Sequence, residues 1–229
     1  MSEARDFNRE LYPFLYVRTG NAPVANQELL DSVRQSTLAK CHEVMTLRSE
    51  LLAEYELQLD AASAAMAERF ANGGKLLAFG NGGSATDADD AAIDCMSPPR
   101  ADWRALPALS LSADSATITA LANDVGLENV FARQVGALGT RDDIAFGLST
   151  SGNSTNVVSA FREARRRGLL TIALTGYDGG AIARTGAVDY CFVARREFVP
   201  RIQEGHATLW HTLLDLVQSA LATRTAAVS

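Results

Sequence analysis

The sequence predicts an α/β fold in which a five-stranded parallel β-sheet is covered by helices on both faces. Five short apolar runs alternate with stretches of helical periodicity. None of these runs shows the polar alternation expected of a strand with a solvent-facing side. Parallel strands need crossover helices, and those helices bury both faces of the sheet. The predicted strands are 76–79, 106–111, 144–148, 169–174 and 188–193.

Helices are predicted before and between these strands. From Gln27 to Asn72 there is no Gly or Pro, and leucines recur at helical spacing. This pattern predicts one long helix or two consecutive ones, ended by Gly73 and Gly74. We expect residues 26–229, with these N-terminal helices, to form one domain. The later helices are predicted at about 84–95, 114–122, 127–138, 154–167, 178–185 and 201–222.

The first 25 residues differ from the rest and are predicted to form an N-terminal arm, 1–25. Phe7, Tyr12, Phe14 and Tyr16 form an aromatic cluster, followed by turn residues that end at Pro23. Such a cluster most often packs on its own domain or on a neighbouring subunit. Docking of a different partner is the alternative.

Composition and charge exclude several classes of protein. The 229 residues are 47% hydrophobic and 21% charged, which is typical of a globular chain and excludes a disordered one. The net charge is 21 − 27 = −6, so we expect no nucleic-acid partner. No apolar run is long enough to cross a bilayer, and residues 1–6 do not resemble a signal peptide. Three widely spaced cysteines indicate reduced thiols, so we expect a cytoplasmic protein with no membrane partner.

Two loops at predicted strand ends carry unusual residues. The glycine loop, residues 80–84, has the sequence Gly-Asn-Gly-Gly-Ser, and the serine loop, residues 149–154, has the sequence Ser-Thr-Ser-Gly-Asn-Ser. Each loop follows a strand and opens a helix. Glycines allow close backbone approach to a ligand, while hydroxyls and the N–H groups at a helix start can bind phosphate oxygens. Because ligands bind at the carboxyl ends of parallel strands, we expect a phosphate site here.

Two other interpretations compete with a phosphate site at these loops. Ser84 or Ser154 alone is readily explained as a helix N-cap, but the four hydroxyls of the serine loop exceed what one cap requires. Gly80, Gly82 and Ala85 also fit the dinucleotide pattern G-x-G-x-x-A. That pattern needs an acidic residue about 20 positions later, at the end of the second strand. Asp114 lies beyond that spacing, so a single phosphate on a small molecule is favoured.

In combination, four motifs in this order resemble the sugar isomerase (SIS) domain family and, more narrowly, the phosphoheptose isomerases. The motifs are the glycine loop, residues 122–124 (Ala-Asn-Asp), the serine loop and residues 201–204 (Arg-Ile-Gln-Glu). The resemblance implies a flavodoxin-like sheet and a homotetramer with active sites between subunits. It also implies interconversion of a ketose phosphate, such as sedoheptulose 7-phosphate, and an aldose phosphate through an enediolate.

The resemblance also assigns candidate roles to residues. Asp94 and His211 would share the acid–base work, with Gln203 reaching the reacting centre. The remaining polar residues of the motifs would bind the phosphorylated sugar. This substrate-binding set is Asn81, Gly82, Gly83, Ser84, Asn123, Asp124, Ser149, Thr150, Ser151, Ser154 and Gln203.

This chain departs from the family pattern around the metal that some members use. Asp90 stands where the family has a histidine, and Asp94 stands where it has a glutamate; Pro98 and Pro200 replace an arginine and an aspartate. The mapped metal set is therefore Asp90, Asp94, Gln203 and His211. One imidazole with oxygen donors makes a poor zinc site, so we expect no required cofactor and at most a weakly bound divalent ion.

Two features of the helices bear on the choice between functions. Asp87, Asp90 and Asp94 share one helical face, which can equally be a solvated acidic face near a helix start. Gln203, His206 and His211 can point toward one site on the last helix. The leading hypothesis is a sugar-phosphate isomerase. The alternative is a catalytically impaired SIS domain that acts as a sugar-phosphate sensor or a protein-binding adapter.

Overall fold

The computed structural model describes residues 27–226 and confirms the predicted fold class. Five parallel strands form one sheet in the order β2-β1-β3-β4-β5, which is the flavodoxin-like order. The strands are β1 (Leu76–Gly80), β2 (Ala108–Ser110), β3 (Ile144–Ser149), β4 (Leu170–Gly176) and β5 (Tyr190–Ala194). The helices are α1 (Gln27–Ala71), α2 (Gly83–Met96), α3 (Ser115–Val125), α4 (Val130–Leu138), α5 (Thr155–Arg167), α6 (Gly180–Arg184) and α7 (Val199–Ala226), with a 3-10 turn at Leu127–Asn129.

The long apolar pattern at the start of the described chain forms the single helix α1. The chain separates into two compact units after Glu43, within this helix. The second unit, from Val44 onward, contains the sheet. The predicted arm 1–25 lies outside the described residues, so its role stays a prediction. Among the helices within 27–226, none is long and apolar enough to cross a membrane.

The sheet is buried on both faces, as its unbroken apolar strands predicted. Alternate strand residues point to opposite sides. Leu76, Phe146 and Leu174 pack under α2, α7 and the part of α1 after Glu43, whereas Phe79 and Ala145 pack under α4 and α5. The result is a three-layer domain whose sheet residues are removed from water on both sides.

Three predicted elements differ from the structure in their bounds or type. The second strand pairs only over Ala108–Ser110, because Pro107 has no N–H to donate to a sheet ladder. The last helix begins at Val199 rather than at residue 201, because Pro200 falls in its first turn, where a missing N–H costs nothing. The segment 127–138 is a 3-10 turn followed by α4 rather than one helix.

Candidate active site

The strand order places the two predicted loops beside a crevice. From β1 the chain passes into α2 on one face of the sheet, and from β3 it passes into α5 on the opposite face. Because β1 and β3 are neighbours, their following loops diverge at this switch point and leave a crevice outside the carboxyl ends of the strands. The glycine loop and the serine loop are therefore on either side of the position where a parallel α/β sheet binds its ligand.

An asparagine pair joins the glycine loop to the start of α5. The Asn81 amide donates to Asn156 Oδ1, and the Asn156 amide donates back to Asn81 Oδ1, both at 2.9 Å. Asn156 is buried at the start of α5, where its Oδ1 also accepts the Val157 N–H. The structure thus places the predicted sugar contact Asn81 in a bond to the first turn of α5. Sequence reasoning missed Asn156, because no local signal identifies a partner 75 positions away.

The serine loop has hydroxyls available at a helix start. Ser154 is the N-cap residue of α5, yet its side chain makes no capping hydrogen bond and instead lies 3.0 Å from Ser149 Oγ. Ser151 Oγ accepts the Asn153 N–H at 3.2 Å. Thr150 is half-buried and lies between Ser149 and Ser151 in the sequence. Because neither α2 nor α5 has an acidic residue in its first turn, the positive ends of both helices are uncompensated.

The conformation of the serine loop requires glycine at position 152. Gly152 has φ +65°, and a Cβ there would lie 2.3 Å from the Gly179 carbonyl oxygen. The Gly152 carbonyl also accepts the Ile182 N–H at 2.9 Å, while Asn153 Oδ1 accepts the Ala181 N–H. The loop is thereby fixed against the start of α6.

On the glycine loop, Gly83 is in direct contact with α7. A Cβ at Gly83 would lie 2.3 Å from Gln203 Nε2, so the glutamine side chain rests on the backbone at the start of α2. Gln203 Nε2 also donates to Asp87 Oδ2 at 3.4 Å. Burial raises the pKa of the Asp87 carboxyl; the Gln203 bond opposes this shift and the charge of Asp90 adds to it.

Asp94 and His211 meet between α2 and α7. His211 Nε2 lies 3.7 Å from Asp94 Oδ2, and the side chains are 66% and 25% exposed. The same carboxylate oxygen accepts the Trp210 Nε1–H at 3.0 Å. Sequence reasoning missed Trp210, whose only signal was its place beside His211. The two residues predicted to share acid–base work are thus neighbours, and they stay reachable by solvent.

The remaining residues predicted to bind the sugar or a metal do not take part in the contact between Asp94 and His211. Asn123 and Asp124 are exposed on α3, where the Asn123 amide donates to Asp124 Oδ1 at 3.2 Å. Ser84 is buried in the first turn of α2, and Gly82 precedes it with φ +55°. Asp90 is exposed on α2. Within the described part of the chain, no three His, Cys, Asp or Glu side chains lie close enough together to hold one metal ion.

The donor chemistry around Asp94 does not fit zinc. Zinc prefers imidazole and thiolate ligands in a tetrahedral set. Here the mapped set holds one imidazole, that of His211, and its other members offer only oxygen donors. The neighbouring Cys95 thiol is buried, and burial raises its pKa to about 12, with the charge of Asp94 adding to the shift. Of the mapped set, Gln203 rests on Gly83 and Asp87 rather than on His211.

His206 does not join Gln203 and His211 in one site. Its ring is fully buried, and Nε2 lies 2.9 Å from the Thr175 carbonyl oxygen. Because a carbonyl only accepts, Nε2 carries the proton, and Nδ1 is left without a hydrogen-bond partner among the described residues. Burial lowers the pKa of His206 to about 4, although the bond to Thr175 opposes the shift. The histidine therefore ties α7 to the carboxyl end of β4 in its neutral form.

We expect this histidine to make stability fall in mild acid. Between pH 6.5 and about 4 the unfolded chain binds a proton at His206 that the folded chain does not, so stability present above pH 6.5 is lost. The difference between the two pKa values corresponds to about 3 kcal/mol. His206→Gln, which keeps a donor for Thr175, removes this dependence. Urea unfolding of both proteins at pH 7 and pH 4 measures it; equal losses of stability in both would contradict the assignment.

Comparisons of the sequence and of the structure with known proteins agree on one family. The SIS domain model matches residues 41–176. A phosphoheptose isomerase of Pelobacter propionicus is 48% identical over 159 residues, covering 69% of this chain and 83% of that protein. One of Thermodesulfovibrio yellowstonii is 39% identical over 194 residues, or 85% and 94% of the two chains. The solved structure of phosphoheptose isomerase GmhA from Neisseria gonorrhoeae matches with a TM-score of 0.73 and 35% identity, over 82% and 99% of the chains.

Proposed function

The chain belongs to the SIS domain family and, within it, to the phosphoheptose isomerases, and from this premise we propose how its residues act. It is a sugar-phosphate isomerase that interconverts an aldose phosphate and a ketose phosphate. We propose that the ketose is sedoheptulose 7-phosphate. The names of the relatives do not favour the alternative of a sensor or adapter without turnover.

The contact between Asp94 and His211 is the observation that carries the mechanism. Isomerisation needs a base that removes a proton from the carbon beside the carbonyl and an acid that protonates the carbonyl oxygen. The resulting enediol then loses its other hydroxyl proton as the new carbonyl forms, and the carbon that was the carbonyl receives a proton. Asp94 is the base, and His211 exchanges protons with the oxygens; Gln203 donates to an oxygen of the enediolate.

A screen of ketose and aldose phosphates by NMR, with and without added divalent metal, tests this function. We expect conversion of sedoheptulose 7-phosphate and slower conversion of shorter sugar phosphates. Binding of these ligands without conversion of any would instead support the sensor or adapter.

We also propose that isomerisation requires no zinc. The mapped ligand set offers one imidazole and otherwise only oxygen donors, so purified protein should retain no zinc after dialysis against a chelator. The activity should survive this treatment, or respond to magnesium or manganese. Metal analysis of the dialysed protein is the measurement. One zinc per subunit would show that the ligand argument is wrong.

The proposed assembly is a cytoplasmic homotetramer with sites between subunits. Within the second unit, Met45, Leu52, Leu57, Ile93 and Met96 are all at least half exposed in one copy of the chain. Such an apolar surface favours burial against another copy. Light scattering at micromolar concentration should give the mass of four chains. A stable monomer would contradict the proposal.

A further inference from the structure

Trp210 holds a place in the site that no motif assigns to it. Its Nε1–H donates to Asp94 Oδ2 at 3.0 Å across the contact between α2 and α7. The indole is 4% exposed, and its ring packs on Phe146 of the central strand β3 with the ring centroids 5.0 Å apart. The donor is therefore anchored in the core, whereas its acceptor lies at the edge of the site.

The Asp94 carboxylate depends on such an anchor. Its side chain is 25% exposed, so without a fixed donor the carboxylate has more than one rotamer open to it. Hydrogen bonds to an ionised acceptor are about twice as strong as neutral ones. Because Trp210 and His211 both contact Oδ2, the other oxygen, Oδ1, is the one left to take a proton from substrate.

We propose that Trp210 is a positioning residue for the isomerase reaction. By holding Oδ2, its indole N–H fixes the rotamer of Asp94, so that Oδ1 faces the reacting carbon and Oδ2 stays beside His211. Trp210 itself does not touch substrate and transfers no proton. This inference rests on the proposed function, because it gives Asp94 the role of base.

Loss of the Trp210 hydrogen bond should lower the rate of turnover and leave substrate binding nearly unchanged. A misplacement of about 1 Å costs on the order of a hundredfold in rate. Trp210→Phe keeps an aromatic ring on Phe146 and removes the N–H together with part of the buried indole. We expect kcat to fall about 10- to 100-fold, on the scale of that penalty, with KM within about twofold. Trp103→Phe is the matched control, since Trp103 instead lies beneath Arg100, outside the site, and should keep full activity.

A double-mutant cycle separates positioning from general damage. If Trp210 acts through Asp94, Trp210→Phe should have no further effect on kcat in an Asp94→Asn background. An additive loss in that background, an unchanged kcat in the single variant, or a rise in KM alone would each overturn the proposal.

A readout without turnover keeps this inference distinct from the proposed function. The chain has two tryptophans, so a ¹⁵N–¹H spectrum contains two indole signals, which Trp103→Phe assigns. Asp94→Asn should shift the Trp210 signal and leave the Trp103 signal in place. If the Trp210 signal does not respond, the positioning proposal fails even where the wild-type enzyme is active. If it responds but no sugar phosphate is converted, the bond stands and the proposed function fails.

Discussion

The double variant Ser149→Ala/Ser151→Ala should lose sugar-phosphate binding while keeping its fold. The two hydroxyls lie on the serine loop at the start of α5, and a phosphate there would accept their hydrogen bonds. Each hydrogen bond to a charged group contributes about 1.5–3 kcal/mol. The loss of two such bonds weakens binding by on the order of 10²- to 10⁴-fold.

Calorimetry with sedoheptulose 7-phosphate and with inorganic phosphate measures this loss. The same change of hydroxyl to methyl at the exposed residues Ser115 and Ser219 is the control and should leave affinity unchanged. The serine-loop variant loses two internal hydrogen bonds, the one between Ser149 and Ser154 and the one that Ser151 Oγ accepts from the Asn153 N–H, so its free energy of unfolding should fall by only about 2 kcal/mol. Undiminished affinity in a folded double variant would exclude the serine loop as the phosphate site.

Removal of the His211 imidazole should have the second large effect, on turnover. A positioned general acid or base contributes about 10²- to 10⁴-fold to rate, so His211→Ala should lower kcat by that factor. The side chain is 66% exposed, so the fold should not depend on it. His42→Ala, which truncates an exposed histidine of α1, is the matched control. A His211 variant with wild-type kcat would place the proton transfer on other groups.

The strands and crossover helices could be predicted because their signals are local. Phe146 and Leu174 belong to unbroken apolar runs, and such runs follow directly from burial on both faces of a sheet. The edge strand was predicted at 106–111 but pairs over only Ala108–Ser110. Leu106 is buried outside the ladder with its N–H bonded to the Cys95 carbonyl, and Leu111 is buried at the strand's end with its N–H bonded to the Ala78 carbonyl of β1. An apolar run indicates that a segment is buried, but a buried segment does not always pair as a β-strand.

The loops of the site were predictable, but the contacts that complete the site were not. Glycines and hydroxyls at a strand end are visible in a few adjacent residues. By contrast, Trp210 and Asp94 are 116 positions apart, and their bond exists only because α2 and α7 pack side by side on one face of the sheet. The same tertiary packing buries His206 against Thr175, which helical spacing alone had left free to face the site.

The most direct test of the account is proton NMR of sedoheptulose 7-phosphate in D₂O with chelator-dialysed protein. The account predicts that an aldose phosphate appears and carries deuterium on the carbon beside its carbonyl, because the proton lost to Asp94 exchanges with solvent before the new C–H bond forms. Saturating binding with no aldose phosphate formed, or conversion that appears only after zinc is added, would contradict it.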